Sequence, residues 1–341
     1  MTDSDIGVAI VTTAHWEGDA RLRRHVAYLG RCGISARIVS FANDGRFRAT
    51  IRAMGEILTT PAPMVLLPDP ELFAIGSLLA RARRKKPILD IHEDYRKAAS
   101  GRRWVPHGLT GPVAIAADWA VRLGRLTAWR VVVAAPELAG PEDRVVLNIP
   151  EPGSLPRRDA PDGFQLVYVG DVTLLRGAAE MAELIGLLDD RFELLIVGRI
   201  EPEARNVIEE IAARDGSEER ISMIGRLEHE DAWRAAAGAL VGLNLLQQVP
   251  AYREAVATKL WEYLAVGLPP VISDLPGQRH LVRSIDPDLV CASLQEAASV
   301  IRRLADDEDF RRTVVGAGYE VYKRSWDERR PDLTIQSALT P

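Results

Sequence analysis

Short apolar runs rich in β-branched residues alternate with longer segments of helical period along the whole chain, and this rhythm limits the choice of fold most strongly. Such runs read as strands buried on both faces, which means parallel sheets covered by helices. In the first half the expected strands are Val8–Thr13, Ala36–Phe41, Met64–Pro68, Pro87–Ile91 and Arg130–Ala135. In the second half they are Gln165–Gly170, Glu193–Gly198, Ile221–Gly225, Leu240–Leu245, Pro270–Ser273 and Leu289–Ala292. A helix over Ala20–Arg31, stopped by Gly33, illustrates the intervening segments. Between the halves lies NIPEPGSLPRRDAPDG, residues 148–163, whose four prolines and two glycines make it a linker. A chain of 341 residues is long enough for two cores.

The expected fold class is therefore α/β, with two Rossmann-like domains facing each other across a cleft and ligands at the carboxyl ends of the strands. The domains are expected at residues 1–150 and 164–317. A C-terminal helix or tail over 318–341, polar and carrying Trp326, could return to the first domain. An apolar share of 47% and a charged share of 27% exclude disordered, collagen-like and coiled-coil classes.

No apolar stretch reaches the roughly 20 residues of a membrane span. The acidic N-terminus, MTDSDIGVAIVTT, does not read as a signal peptide. Only Cys32 and Cys291 are present, far apart, so neither a disulfide framework nor a thiolate metal site is expected, and a cytoplasmic setting is the simplest. Residues 1–150 hold 21 Lys and Arg against 15 Asp and Glu, a net of +6. The remainder holds 22 against 33, a net of −11. The acidic half argues against a nucleic-acid binder, while the basic half admits an anionic ligand or surface.

The missing fingerprint argues against a dinucleotide oxidoreductase. The first strand runs into TTAHWEGDAR, which has one glycine where three are needed for the turn and the phosphate approach. The informative segment is REAVATKLWEYLAVGLPPVISD, residues 253–274. Thr258 can cap a helix that ends at Gly267. The first turn of that helix, Thr258, Lys259 and Leu260, offers unpaired N–H groups and a positive dipole end to a diphosphate. Glu254 and Glu262 flank this seat and can accept hydrogen bonds from vicinal hydroxyls.

On these residues the sequence resembles the family-4 retaining glycosyltransferases of the GT-B fold, which carry two glutamates at this spacing before an A-x-G-x-P-V turn. The resemblance implies that Glu262 holds the ribose and Glu254 the transferred sugar. It covers about residues 6–330. LVYVGDVTLLRGAAEMAELI, residues 166–185, matches the strand, turn and basic residue that open the donor domain. Arg176 falls where the family grips the diphosphate. Asp171 falls where many members have a second arginine, a departure that Lys259 could offset. The base is expected near Arg199, Gly225, Arg226 and Leu227.

In PILDIHEDYRKAAS, residues 87–100, His92 leaves the end of a strand, followed by Glu93 and Asp94. The family places a histidine there, beside the reacting sugar. The loop bearing His15, Trp16, Gly18 and Asp19 belongs to the acceptor side. Asp69 and Glu71 in LLPDPELFAIGSLLAR match a subgroup of the family.

The resemblance implies a metal-independent enzyme without cofactor that moves a sugar from a UDP- or GDP-linked donor, its substrate, with retention. The acceptor would be a small molecule, natural product or glycan with an O, N or S nucleophile. A nucleotide-sugar epimerase, or a binding protein that has lost transfer, are the alternatives. No histidine pair has ligand spacing, and no Asp-x-Asp motif occurs. Nine basic residues within 81–103, followed by Trp104, read either as a solvated helix end or as a peripheral membrane contact.

Overall fold

The computed structural model describes residues 6–98, 108 and 110–329. It divides into two units, Met1–Asn148 with Arg329–Pro341, and Ile149–Glu328. In the first unit β1 (Val8–Thr12), α1 (Ala20–Arg31), β2 (Ala36–Ser40), α2 (Arg46–Thr59), β3 (Met64–Leu67) and α3 (Pro70–Ala82) lead to β4 (Lys86–Ile91). The short α4 (Tyr95–Ala98), then α5 (Thr110–Thr127), β5 (Arg130–Val133) and β6 (Arg144–Val145) follow. The sheet is parallel, in the order β2-β1-β3-β4-β5-β6.

The second unit runs β7 (Gln165–Val169), α6 (Ala178–Leu187), β8 (Glu193–Val197), α7 (Pro202–Asp215), β9 (Ile221–Gly225), α8 (His229–Ala236) and β10 (Val241–Asn244). It continues through α9 (Pro250–Arg253), α10 (Thr258–Val266), β11 (Pro270–Ser273), α11 (Pro276–Arg283), β12 (Val290–Cys291), α12 (Leu294–Asp306) and α13 (Glu308–Arg329). This sheet is also parallel, in the order β12-β11-β10-β7-β8-β9.

Period-two alternation within apolar strands gives each sheet two dry faces. In the first sheet Ala9, Val11, Val65, Leu67 and Leu89 point towards Ala53 and Ile57 of α2 and Leu72 and Phe73 of α3. Val8, Ile10, Leu66 and Ile88 point the other way, against Leu22 and Leu29 of α1. Each strand expected from the sequence forms, most with ends trimmed by a residue or two. The sequence pattern misses β6, because two residues carry no periodicity.

Two expectations are corrected. Thr258 is the first residue of α10 rather than its cap. Ala257 holds the cap position in extended backbone (φ −64°, ψ 128°) without a side-chain bond. The last helix begins at Glu308 rather than near Gly318, because Gly316 and Gly318 both lie inside it. Tyr322 and Trp326 are buried, and the Tyr322 hydroxyl donates to the Pro150 carbonyl (2.8 Å), so this helix packs within the second unit. Residues 330–341 lie outside the described residues.

One aromatic ring fixes α10 in place. Tyr263 is fully buried against β10, where a Cβ on Gly242 would strike its ring. Its hydroxyl donates to the Leu243 carbonyl (3.1 Å) and accepts from the Val169 amide (3.2 Å) at the end of β7. Gly242→Val is expected to destabilise the protein by about 1–3 kcal/mol through overpacking. Chemical denaturation with Gly30→Ala as control tests this, since a Cβ at Gly30 meets nothing.

Candidate functional site

Two clusters form at the carboxyl edges of the sheets, one in each unit. In the first, β1, β3 and β4 are neighbours, so the loops that leave them meet. The β1 loop carries His15, the β3 end Asp69 and the β4 end His92. Asp69 occupies the cap position of α3 but makes no cap bond. Its carboxylate instead accepts from the Thr12 hydroxyl (2.7 Å) and the Thr13 amide (2.7 Å), which ties β3 to the β1 loop. The Thr13 hydroxyl donates to Glu71 (2.7 Å). His15 Nδ1 lies 3.1 Å from Asp19 and its Nε2 lies 3.3 Å from Asp69. Asp19 also caps α1, accepting from the amides of Arg21 (3.0 Å) and Leu22 (3.2 Å).

This geometry separates the two histidines. Burial works against a charge on His15, but its hydrogen bond to Asp19 and the fields of Asp69, Asp19 and Asp90 outweigh it and raise its pKa. His92 packs edge-on to the His15 ring at 5.0 Å. Burial first, and then the field of the neighbouring His15, push His92 down to about 4, which favours its neutral form. Tyr95 adds a contact to His92 Nδ1 (3.3 Å), and the same hydroxyl donates to the Pro68 carbonyl (3.0 Å). Beneath them Asp90 is fully buried, paired with Arg21 (Nε to Oδ2, 2.8 Å) and His25 (3.0 Å). Burial alone would raise its carboxyl, yet Arg21 and His25 hold it well below the ordinary range. Arg21 also donates to the Val146 carbonyl (3.0 Å).

Trp16 lies over Gly18, where a Cβ would run into its ring. Glu93 and Asp94 are half-buried after His92, with Asp94 accepting from the Arg96 amide (3.1 Å).

In the second unit the loops after β7, β8 and β9 are stitched together by backbone bonds. Gly170 N donates to Val197 O (2.8 Å), Val172 N to Arg199 O (2.8 Å) and Gly198 N to Gly225 O (2.7 Å). Gly170 and Gly198 take φ of +134° and +147°. A Cβ on Gly198 would collide with the Gly170 carbonyl, so glycine alone allows this approach.

Lys259, in the first turn of α10, reaches back to this turn. Its Nζ lies 3.4 Å from the centre of the Tyr168 ring and would sit 3.3 Å from a Cβ on Gly170. Among the described residues this buried Nζ has no hydrogen-bond partner. Burial first, and then Arg176, push its pKa well below the ordinary lysine range. Arg176 ends a single 3-10 turn, Leu174–Arg176, capped by Thr173, and its guanidinium donates to the Asp171 carbonyl (3.2 Å). The Asp171 carboxylate pairs with Arg199 (2.8 Å). An arginine thus stands beside the aspartate, although it comes from the next strand's loop. Arg226 is exposed and Leu227 half-buried beyond Gly225.

The two glutamates differ sharply. Glu254 is exposed, 3.4 Å from Arg253. Glu262 is buried (7% exposed), with Oε1 2.9 Å from His229 Nε2. Trp233 Nε1 approaches the same His229 nitrogen at 3.2 Å. Sequence reasoning missed His229. The signal available was a histidine opening a helix just after the Gly225 turn, on the segment assigned to the base. Among the described residues no group of three His, Cys, Asp or Glu side chains is placed to hold a metal ion.

Residues 157–321, just under half of the chain and within the second unit, match the family model for glycosyl transferases group 1. No curated protein sequence matches the chain. Among solved structures, sucrose-phosphate synthase from Thermosynechococcus elongatus superposes with a TM-score of 0.72 at 15% identity, covering 97% of this chain and 96% of that one. Anabaena HepE, solved with UDP and glucose, gives 0.71 at 12% identity over 97% and 99%. AviGT4, a glycosyltransferase involved in avilamycin A biosynthesis, gives 0.55 at 17% identity over 96% and 97%. The two six-stranded parallel sheets with flanking helices are those of GT-B glycosyltransferase structures.

The His15–Asp19 pair makes stability depend on pH in opposite senses. The raised His15 pKa contributes stability that is complete below the unfolded value and is lost as pH rises through the folded one. Asp19, held down at about 2, contributes stability above its ordinary 3.8 that is lost as pH falls towards 2. Asp19→Asn is expected to lower the His15 pKa, read by histidine NMR titration. His229→Ala is expected to destabilise the second unit by about 1–3 kcal/mol by stripping Glu262 of a partner, measured by denaturant unfolding.

Proposed function

We propose that the chain is a retaining glycosyltransferase that moves a sugar from a nucleotide-diphosphate donor, with UDP or GDP as leaving group, to an acceptor hydroxyl, amine or thiol. The observation that carries this reading is the buried Lys259 Nζ, which among the described residues has no hydrogen-bond partner and lies at the Gly170 turn beside Arg176. A buried donor left unpaired is costly, and a diphosphate oxygen would satisfy it. The match of residues 157–321 to glycosyl transferases group 1 and the UDP bound by HepE support the same assignment.

In this reading the α10 N-terminus, Arg176 and Lys259 hold the diphosphate. Glu262, braced by His229, accepts from the ribose hydroxyls, and Glu254 contacts the transferred sugar. The base lies along Arg199 and Gly225–Leu227. As the anomeric carbon–oxygen bond breaks, the electron pair leaves with the phosphate oxygen, and the Arg176 guanidinium, the N–H donors of Lys259 and the helix dipole stabilise that charge. The chain's own groups thus meet the donor charge without a metal. The acceptor attacks the same face, and its proton passes to the departing phosphate oxygen. Neutral His92 and the His15–Asp19 loop, with Glu93 and Asp94, form the acceptor side, where an uncharged imidazole can orient a sugar or acceptor hydroxyl.

Glu262→Ala is expected to weaken nucleotide binding about tenfold or more, by the loss of a charge-assisted hydrogen bond. His92→Ala is expected to lower kcat while leaving nucleotide affinity near wild type. A thermal-shift series with UDP and GDP reads the first effect, since a ligand at a hundred times its Kd adds about 2.7 kcal/mol. Wild-type transfer by both variants would overturn the site assignment. Epimerisation of the donor without acceptor would favour the epimerase instead.

A further inference from the structure

Among the described residues, thirteen large apolar side chains are exposed, and eight of them sit on α2, α3 and α5. These three helices cover the same face of the first sheet, with α3 packed between the other two. The clustering departs from the scattered exposure expected of a soluble monomer. On α5, Trp119 (58% exposed) and Leu126 (80%) continue a stripe with Ile115 and Leu123, while Ala117 and Val121 face the core. Neighbouring α3 adds Ile75 and Leu78, and α2 adds Phe47 (79%) with Ile51 one turn on. The face is braced, because Arg81 of α3 donates to the carbonyls of Thr127 and Ala128 (2.8 Å) at the end of α5.

Charge narrows the choice of what covers it. Of the six arginines on the three helices, Arg46, Arg52, Arg122 and Arg125 are paired with Glu71, Asp44, Asp118 and Asp143, and Arg81 is engaged with the carbonyls at the end of α5. The charge offered outward therefore rests on Arg48 and on the arginines that follow α3. Exposed Arg48 adjoins Phe47, and exposed Arg83 and Arg84 follow the end of α3. A second copy of the chain, docked on a two-fold axis, would bring Arg48, Arg83 and Arg84 of both copies to one interface, where like charges repel. An anionic lipid surface accepts both features, taking the apolar side chains at its interface and the arginines at its headgroups. No helix among the described residues is long and apolar enough to cross a membrane, so any such contact is peripheral.

We infer that the outer face of α2, α3 and α5 docks on anionic lipid bilayers. Arg102, Arg103 and Trp104 of the adjoining basic segment lie outside the described residues. The inference is independent of the transfer reaction proposed above.

The test is co-sedimentation of the full chain with phosphatidylcholine vesicles, with and without phosphatidylglycerol. Binding is expected only with the anionic lipid and should weaken as salt rises. Trp119→Asp with Leu126→Asp should cut partitioning about tenfold or more. Arg48→Glu with Arg83→Glu should cut it by at least about fivefold per residue. All four side chains are exposed, and circular dichroism with nucleotide thermal shift checks that the variants fold. Absence of anionic-vesicle binding, or binding that both double variants retain, overturns the inference. A concentration-dependent dimer broken by Trp119→Asp would overturn it too, assigning the face to a second copy.

Discussion

Parallel pairing obliges every strand of a sheet to leave by the same edge, and both clusters of candidate side chains depend on this constraint. β1, β3 and β4 are neighbours in space but are separated in sequence by whole helices. Their common exit brings His15, Asp69 and His92 together. In the second unit β7, β8 and β9 do the same for Asp171, Arg199 and the Gly225 turn. Backbone bonds then lock these loops to one another, so the side chains project from a stiff edge rather than from separate loops.

Charge is handled differently in the two clusters. The first unit compensates its buried charges, since Asp90 is met by Arg21 and His25, and His15 lies between two carboxylates. Replacing one member of such a set leaves an uncompensated charge, which is why these networks are costly to cut. In the second unit Glu262 is met by His229, and Asp171, Arg199 and Arg176 engage one another, whereas the buried Lys259 Nζ lies against the Tyr168 ring and, among the described residues, has no hydrogen-bond partner. A compensated network holds its own shape, while a buried donor without a partner gains most from an arriving acceptor.

The structural devices behind the second cluster are small residues that permit close approach. Glycine at 198 allows the β8 loop to reach the Gly170 carbonyl, and glycine at 242 makes room for the Tyr263 ring. Tyr263 in turn spans β7 and β10 and so sets where α10 begins. Gly318 of α13 abuts Leu264 on the same helix. The position of the α10 N-terminus is therefore a consequence of packing well away from it.

The sequence by itself determined every strand except β6, and also the sheet edge on which the candidate residues lie. Apolar periodicity and turn residues are local signals, and parallel order follows from them by general rules. It also marked His92, Arg176 and Lys259, because each follows a strand or opens a helix, and the Glu254–Glu262 pair, by its spacing and the family resemblance. Tertiary structure alone decided which partners those groups have. Nothing local links His229 to Glu262, Asp69 to the Thr13 amide, or Arg199 to Asp171. The spacing that made Glu254 and Glu262 look equivalent left one exposed and the other buried. The outward stripe of α5 was equally illegible, since an apolar residue on a helix reads as core until its neighbours are placed. Partner choice and exposure arise from contacts between segments far apart in the chain, and no periodicity within one segment encodes them.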